Sequence, residues 1–287
     1  MILIADSGST KTTWRFIENA SSGFEFVTGG YNPCYTDGNS LSRMLEPVLT
    51  EKGFEGNGVE KVAYYGAGVY ENNKYMIRNA LSAVFPKAQI ETCSDLVGAA
   101  RALLGDSGGF AAILGTGSNS CLYDGKEIVR HIHSLGFMLG DEGSGGYMGK
   151  RLIGDYIRGY MPEDVRTAFR DACKLSRDEL IAQIHASTAP NRYCASFTRF
   201  LTGELAGHEY LEQRIVGDSF RDFFRNVVSH YPAYRDYAFN SVGSVGWIFR
   251  DRLTAVADEF GMTTGCVIAD PMAGLAKWEL KHAGMGV

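Results

Sequence analysis

The chain has 287 residues, of which 45% are hydrophobic and 21% are charged, and its formal net charge is −5. This balance is typical of a globular protein that forms one large domain or two modest ones. The slight negative charge excludes a general electrostatic attraction to nucleic acid or to an anionic membrane, so we expect neither of these partners.

Targeting and redox features predict a cytoplasmic location. The N-terminus lacks the basic segment and long apolar stretch of a secretory signal peptide, and no apolar run approaches the ~18 residues that span a bilayer. The six cysteines are scattered without a C-x-x-C pair, which argues against a disulfide framework, a zinc ribbon or an iron–sulfur site. We therefore expect reduced thiols in the cytoplasm.

The first 108 residues predict the element order βββαβαβα from their hydrophobic periodicity and turn signals. The predicted elements are strands at 2–5, 12–18 and 24–27, a helix at 40–52, a strand at 60–65, a helix at 72–85, a strand at 89–93 and a helix at 96–104. Such an alternation indicates an α/β domain.

The second half repeats this order around an insertion of extra helices near 163–230. The predicted elements are strands at 110–114, 120–123 and 126–132, helices through roughly 144–229, a strand at 236–242, a helix at 245–260, a strand at 265–269 and a helix at 272–283. We predict two duplicated α/β domains, 1–108 and 109–287, with a ligand cleft between them. We also expect the last helix to pack back on the first domain.

Each half opens with a strand, a turn of small residues and another strand: "ADSGSTKT" at 5–12 and "LGTGSNS" at 114–120. Small residues let backbone N–H groups and hydroxyls surround an anion such as phosphate. Asp6 would repel phosphate unless Mg²⁺ lies between them, as it does in nucleotide sites. The alternative is a pair of ordinary β-hairpins, but two such loops at matching positions favour phosphate binding.

Other catalytic motifs are absent or out of context. Neither G-x-x-x-x-G-K-[ST] nor G-x-G-x-x-G occurs. "GDSGG" at 105–109 matches a hydrolase nucleophile, but it follows a helix and precedes a strand, and all six histidines come after Ser107. We interpret this segment as a turn before the second domain.

Two further acids have a position that fits ligand binding. Asp95 follows the predicted strand 89–93, at the strand end where α/β sheets bind ligands, although it is equally well placed to cap a helix. Asp141 lies in "LGDEGSGGYMGK" at 139–150, where the N–H groups of a glycine-rich helix start could meet an anion or the domain hinge, or Asp141 could simply begin the helix. His131 and His133 share a strand face, but no third ligand predicts a metal site there.

Together, DSGST, the strand-end Asp95, GTGSNS and GDEGSGG resemble the N-acetylglucosamine kinase branch of the sugar kinase/actin/Hsp70 superfamily, within the BadF/BadG/BcrA/BcrD-type ATPases. The resemblance covers nearly the whole chain. It implies two RNase-H-like, actin-like ATPase domains facing a nucleotide cleft, with ATP and Mg²⁺ as cofactors and an amino sugar as the small-molecule partner. We also expect a homodimer.

Carried over by motif, the resemblance implies a role for each matching residue. Asp6 matches the Mg²⁺-associated acid, and Asp95 matches the catalytic base. The implied ATP contacts are Ser9, Thr10 and Lys11 in one phosphate loop, Thr116 and Gly117 in the other, and Gly243, Ser244 and Val245 in an adenosine segment, "SVGSVGWIF". The implied sugar ligands are Asn32 in "GGYNPCY", Ser118, Asn119 and Asp141.

The resemblance predicts ATP-dependent phosphorylation of N-acetylglucosamine or glucosamine at the 6-hydroxyl. Leu135 stands where vertebrate-type enzymes of the family carry Trp, so the pattern does not select one amino sugar. An alternative function is an ATP-hydrolysing activator of a partner enzyme, of the 2-hydroxyacyl-CoA dehydratase activator type, although the paired cysteines of those activators are not evident. A catalytically inactive sugar or nucleotide sensor is a third possibility.

Overall fold

A computed structural model describes residues 1–8, 10–18, 23–34, 38–54 and 56–284. The chain divides into two compact units. The first contains residues up to Gly108, the segment Tyr123–Ile128 and the chain from Asp270 onward. The second contains Gly109–Leu122 and Val129–Ala269.

The first unit has a five-stranded sheet flanked by helices. Its elements are β1 (Ile2–Ser7), β2 (Lys11–Ile17), β3 (Gly23–Gly29), α1 (Gly38–Glu51), β4 (Lys61–Gly66), α2 (Lys74–Val84), β5 (Gln89–Ser94), α3 (Asp95–Leu104) and, from the end of the chain, α12 (Met272–His282). The strand order is β3-β2-β1-β4-β5, and β1 pairs antiparallel with β2 and parallel with β4.

Strand β1 is apolar on both faces because it lies at the centre of this sheet. Leu3 and Ala5 join the core beneath α1 and α2, whereas Ile2 and Ile4 join a second core on the opposite face. Helix α12 packs on α3 and supplies apolar side chains to that second core. The unit is therefore a three-layer α/β/α sandwich, and each of its two cores needs one face of β1.

A buried carboxylate joins α12 to the sheet of the first unit. The Glu279 side chain is 0% exposed, and its two oxygens accept hydrogen bonds from Lys61 Nζ at 2.7 Å and from the Tyr65 hydroxyl at 2.6 Å. The Arg101 guanidinium on α3 donates to the same hydroxyl at 2.8 Å. The polar cluster therefore connects α12, α3 and the adjacent strand β4.

Glu279→Ala is expected to lower the free energy of unfolding by about 1–3 kcal/mol, because it leaves the buried Tyr65 hydroxyl without its acceptor, whereas the partly exposed Lys61 keeps its ion pair with Glu91. Chemical denaturation provides the measurement. The matched control is Glu25→Ala, which removes a half-exposed partner of Arg15 and should change stability by at most about 1 kcal/mol. Equal losses in the two variants would contradict the proposed contribution of the buried carboxylate.

The second unit has the same sheet with a helical insertion. Its elements are β6 (Gly109–Leu114), β7 (Ser118–Tyr123), β8 (Ile128–His131), α4 (Gly136–Leu139), α5 (Gly145–Arg158), α6 (Glu163–Cys173), α7 (Arg177–Ala186), α8 (Pro190–Ser196), α9 (Asp218–Asn226), β9 (Phe239–Val242), α10 (Ser244–Ile248), α11 (Arg250–Glu259) and β10 (Thr264–Ile268). A π-helical turn, Leu211–Gly217, precedes α9.

The sheet order of the second unit is β10-β9-β6-β7-β8. Read from its other edge, this is the arrangement of the first sheet, with three consecutive strands followed by two added beside the first of them. The predicted duplication of an α/β fold is confirmed. No helix among the described residues is both long and apolar enough to cross a membrane, and each of the six cysteines is a free thiol.

Candidate functional site

Two of the predicted acids lie at one edge of the first sheet. Strands β1, β4 and β5 run parallel, and their last residues, Ser7, Gly66 and Ser94, are in register. Asp6 precedes Ser7, and Asp95 follows Ser94. Both carboxylates therefore lie at the carboxyl ends of parallel strands, where open α/β sheets bind their ligands.

Asp6 lies in surroundings that disfavour its charge. The pKa of its carboxyl is raised to about 7, mainly by burial and also by the negative charges of Asp95 and Asp270, whereas the Lys11 ammonium lowers it. The side chain still keeps partial access to solvent. A bound cation would relieve this repulsion, and carboxylate oxygens are the ligands that Mg²⁺ prefers.

Asp95 is the first residue of α3, but it is not the helix cap. Ser94 is the cap, and its hydroxyl accepts a hydrogen bond from Val97 N at 3.3 Å. The interpretation of Asp95 as the cap is therefore wrong. The pKa of the Asp95 carboxyl is raised to about 6, because burial outweighs the lowering effect of the backbone N–H donors at the start of α3. A carboxyl with such a pKa is suited to general base catalysis near neutral pH.

Asp270 is a third acid of this cluster, and the sequence analysis missed it. It lies between β10 and α12, and its carboxylate accepts a hydrogen bond from Met272 N at 3.1 Å. Its charge contributes to the raised pKa of Asp6. The signal was present in the sequence, because Asp270 lies between the predicted strand 265–269 and the predicted helix 272–283, as Asp95 lies between the predicted strand 89–93 and the predicted helix 96–104.

The turn after β1 contains the first predicted phosphate loop. The hydroxyls of Ser7 and Thr12 lie 2.8 Å apart across the hairpin, and Gly8 N donates to Lys11 O at 3.0 Å. Thr10 and Lys11 are exposed, and the carbonyl of Thr10 accepts a hydrogen bond from Gly30 N. Ser9 lies outside the described residues.

Asn32 lies against the loop that follows β4. Its Oδ1 atom accepts a hydrogen bond from Cys34 N at 2.9 Å. Gly68 has a φ of +72°, and a Cβ at this position would lie 2.3 Å from the same oxygen. The close approach thus requires glycine. Asn73 Nδ2 donates to the Gly68 carbonyl at 2.8 Å and so supports the loop beside Asn32.

In the second unit, the loop after β6 is bonded to the start of α5. Gly145 N donates to Gly115 O at 2.8 Å, and Gly146 N donates to Thr116 O at 3.0 Å. The hydroxyl of Ser144 accepts the next donor, Tyr147 N, at 3.1 Å. Because these N–H groups are already bonded, the interpretation of this helix start as an anion site is wrong.

Asp141 has a left-handed backbone, with a φ of 58°, and lies beside the same loop. Its Oδ1 atom accepts a hydrogen bond from Ser118 N at 3.3 Å, and Gly117 packs directly against the carboxylate. Since Ser144 caps α5, Asp141 does not begin the helix. Burial raises the pKa of Asp141, and the hydrogen bond from Ser118 N partly offsets this effect.

The segment after β9 packs against the same loop. Gly243 has a φ of +129°, and a Cβ there would lie 2.4 Å from Leu114 O, so only glycine fits. Ser244 begins α10, and the buried Val245 packs against Gly145. In the second unit, the loop after β6, the carboxylate of Asp141 and the segment after β9 therefore lie together. The predicted ligand-binding residues in these three places are Thr116, Gly117, Ser118, Asp141, Gly243, Ser244 and Val245. Asn119 is the next residue on β7, and its side chain is half-buried.

The raised pKa of Asp6 predicts a pH-dependent stability difference between the wild type and Asp6→Asn. Between the ordinary carboxyl pKa of 3.8 and about 7, the folded state holds a proton that the unfolded state releases, so wild-type stability falls as pH rises. Asp6→Asn has no titratable carboxyl at this position, so its stability does not decrease with pH for this reason. Its melting temperature, measured without Mg²⁺, should exceed that of the wild type by more at pH 8 than at pH 5. The control Asp251→Asn alters a 98% exposed side chain and should show a constant difference. A constant difference for Asp6→Asn would contradict the raised pKa.

The two sheets define the class of protein: this is the fold of sugar kinases and actin-like ATPases. The chain is 38% identical to a candidate N-acetylglucosamine kinase from Porphyromonas gingivalis, with a TM-score of 0.94 over 99% of this chain and 100% of the other. The chain belongs to this family of N-acetylglucosamine kinase-like proteins.

More distant structures share the fold. A candidate N-acetylglucosamine kinase from Chromobacterium violaceum matches with a TM-score of 0.69 at 16% identity, over 96% of this chain and 98% of the other. A glucokinase from Streptomyces griseus, solved with glucose and AMPPNP, matches with a TM-score of 0.60 at 13% identity, over 96% and 97% of the two chains. No protein-family model and no curated protein matches the chain.

Proposed function

We propose that the protein transfers the γ-phosphoryl group of ATP to the 6-hydroxyl of an amino sugar, N-acetylglucosamine or glucosamine. The observation that carries this proposal is Asp95, a carboxyl at a strand end with a pKa near 6 and no capping role. The family supports it, because the 38% identical relative is a candidate N-acetylglucosamine kinase. The AMPPNP-bound glucokinase of the same fold supports ATP as the phosphoryl donor.

In this proposal Asp95 is the general base. A sugar hydroxyl is a weak nucleophile, and a carboxylate that accepts its proton during attack on the γ-phosphorus increases its reactivity. A pKa near 6 leaves Asp95 mostly ionised at neutral pH while keeping it more basic than an ordinary aspartate. The proton thus moves from the 6-hydroxyl oxygen to a carboxylate oxygen of Asp95.

The loops of small residues would bind ATP. In this proposal the residues that contact the phosphates are Ser9, Thr10, Lys11, Thr116 and Gly117. Gly243, Ser244 and Val245 would contact the adenosine. Asp6 would hold Mg²⁺, whose positive charge would offset the burial and the neighbouring Asp95 and Asp270 charges that raise the pKa of its carboxyl. Mg²⁺ neutralises charge on the transferred phosphoryl group.

The sugar would be bound by amide, hydroxyl and carboxylate groups. In this proposal they come from Asn32, Ser118, Asn119 and Asp141. Polar groups that pair with substrate hydroxyls reject analogues lacking them far more strongly than an apolar pocket rejects a missing methylene. We therefore expect poor use of sugars in which a contacted hydroxyl is inverted.

Purified protein with ATP and Mg²⁺ tests the proposal against a panel of glucosamine, N-acetylglucosamine, N-acetylmuramic acid and glucose. Coupled ADP release measures turnover, and NMR of the product locates the phosphate. We expect an amino sugar to give the highest kcat/KM and to carry phosphate on its 6-oxygen. ADP release that only a partner protein accelerates would instead establish an activator, and sugar binding without any ADP release would establish a sensor.

A further inference from the structure

The side-chain amide of Asn119 has a defined orientation. Its Oδ1 atom accepts a hydrogen bond from the backbone N–H of Ser120 at 3.0 Å. A backbone N–H can only donate, so the atom it reaches must be the oxygen of the amide. This contact settles which end of the Asn119 side chain is the carbonyl and which is the amine.

A second group meets the same oxygen. His131 Nε2, at the end of β8, lies 2.9 Å from Asn119 Oδ1. Because an amide oxygen only accepts, His131 Nε2 must carry a proton. Burial lowers the pKa of His131, as does the neighbouring His133, whose ring centroid lies 4.6 Å away, and a lowered pKa favours the neutral ring. The contact with Asn119 Oδ1 places the single proton of that neutral ring on Nε2.

The spacing between these groups is held by Tyr231, which is 2% exposed. Its hydroxyl donates to Ser120 O at 2.7 Å and accepts a hydrogen bond from Ile132 N at 2.9 Å. Ser120 follows Asn119, and Ile132 follows His131, so one buried hydroxyl joins the two backbones beside the pair. The contact between Asn119 and His131 is therefore built into the packing of the second unit.

We propose that His131 is a positioning residue that, with the Ser120 amide, occupies the carbonyl oxygen of Asn119 and leaves its Nδ2 group to donate to an oxygen of the sugar. The side chain of Asn119 is half-buried, and no hydrogen bond from Nδ2 to another described residue is formed. The inference rests on the proposed function, in which Asn119 contacts the sugar. In this inference the Nδ2 group of Asn119 donates a hydrogen bond, so the substrate atom that it contacts is an acceptor oxygen.

Two substitutions of His131 separate this role from a structural one. In His131→Gln the terminal amide nitrogen can reach the former position of Nε2, whereas in His131→Asn the amide is too short. We expect His131→Asn to raise the KM for the sugar about tenfold, the value of one net hydrogen bond, with kcat and the KM for ATP within about twofold of wild type. His131→Gln should restore the sugar KM to within about threefold.

His133→Asn is the control, since this ring contacts His131 but forms no hydrogen bond with Asn119. It should leave the sugar KM within about twofold of wild type. Equal sugar KM values for His131→Asn and His131→Gln, or a fall in kcat without a change in KM, would overturn the positioning role.

A readout that needs no activity tests the same contact. Long-range ¹H–¹⁵N spectra of the wild-type protein, with His131 assigned by comparison with His131→Gln, should show the Nε2–H tautomer. The Nδ1–H tautomer would overturn the inference even in an active kinase. Failure of the proposed function is seen separately: no sugar would stimulate ATP turnover by the wild type, or Asn119→Ala would leave the sugar KM unchanged while the Nε2–H tautomer persists.

Discussion

Asp95→Asn is expected to lower kcat by about 10²–10⁴-fold while leaving the affinity for ATP nearly unchanged. The amide has the shape of the carboxylate but cannot accept the proton of the attacking hydroxyl, and general base catalysis contributes about this factor. Ser94 supplies the cap of α3, and the side-chain oxygen of Asn can still accept from the backbone N–H groups beside Asp95, so the helix start should be retained. Steady-state kinetics with the preferred sugar, together with calorimetric ATP binding, provides the measurement.

The pH profile of the wild type gives a second test of this base. Since the pKa of Asp95 is raised to about 6, kcat/KM should fall as pH decreases through about 6, because the base becomes protonated. The control Asp251→Asn changes a 98% exposed side chain and should retain wild-type kinetics. Near-wild-type turnover by Asp95→Asn would exclude Asp95 as the base.

Asp6→Ala is expected to abolish phosphoryl transfer and to weaken the Mg²⁺ dependence of ATP binding. Asp6 lies near the end of the central strand, where burial and, to a smaller extent, the negative charges of Asp95 and Asp270 raise the pKa of its carboxyl. Removing the carboxylate removes the group proposed to hold the cation, and metal neutralisation of phosphate charge is a large part of phosphoryl transfer.

Titrations of ATP with and without Mg²⁺ measure this effect. In the wild type Mg²⁺ should strengthen binding markedly, whereas in Asp6→Ala the two affinities should converge. The same titration of Asp251→Ala, which changes an exposed acid, should match the wild type. Unchanged Mg·ATP affinity and turnover in Asp6→Ala would count decisively against a phosphate loop at residues 6–11.

Local patterns in the sequence were sufficient to predict the order of strands and α-helices in residues 1–108 and the duplication of the fold, whereas in the second half α4 was not predicted and the helix predicted at 245–260 is divided into α10 and α11. The apolar run at residues 2–5 indicated a buried strand, and β1 is indeed apolar on both faces at the centre of its sheet. The helix predicted at 40–52 is also confirmed as α1, which buries Leu41, Leu45 and Leu49 on one face. These features depend on periodicity within one element, which a single sequence records directly.

Contacts between distant segments were decided only by the tertiary structure. The charge of Asp270 contributes to the raised pKa of Asp6, although the two residues lie near opposite ends of the chain. The first N–H groups of α5 donate hydrogen bonds to the carbonyls of residues 115 and 116. His131 Nε2 likewise reaches the side-chain oxygen of Asn119 only because β8 lies beside β7 in the sheet. The sequence determines which polar groups are present. The packing of strands and helices determines which donor bonds to which acceptor, and therefore which polar groups remain available to a ligand.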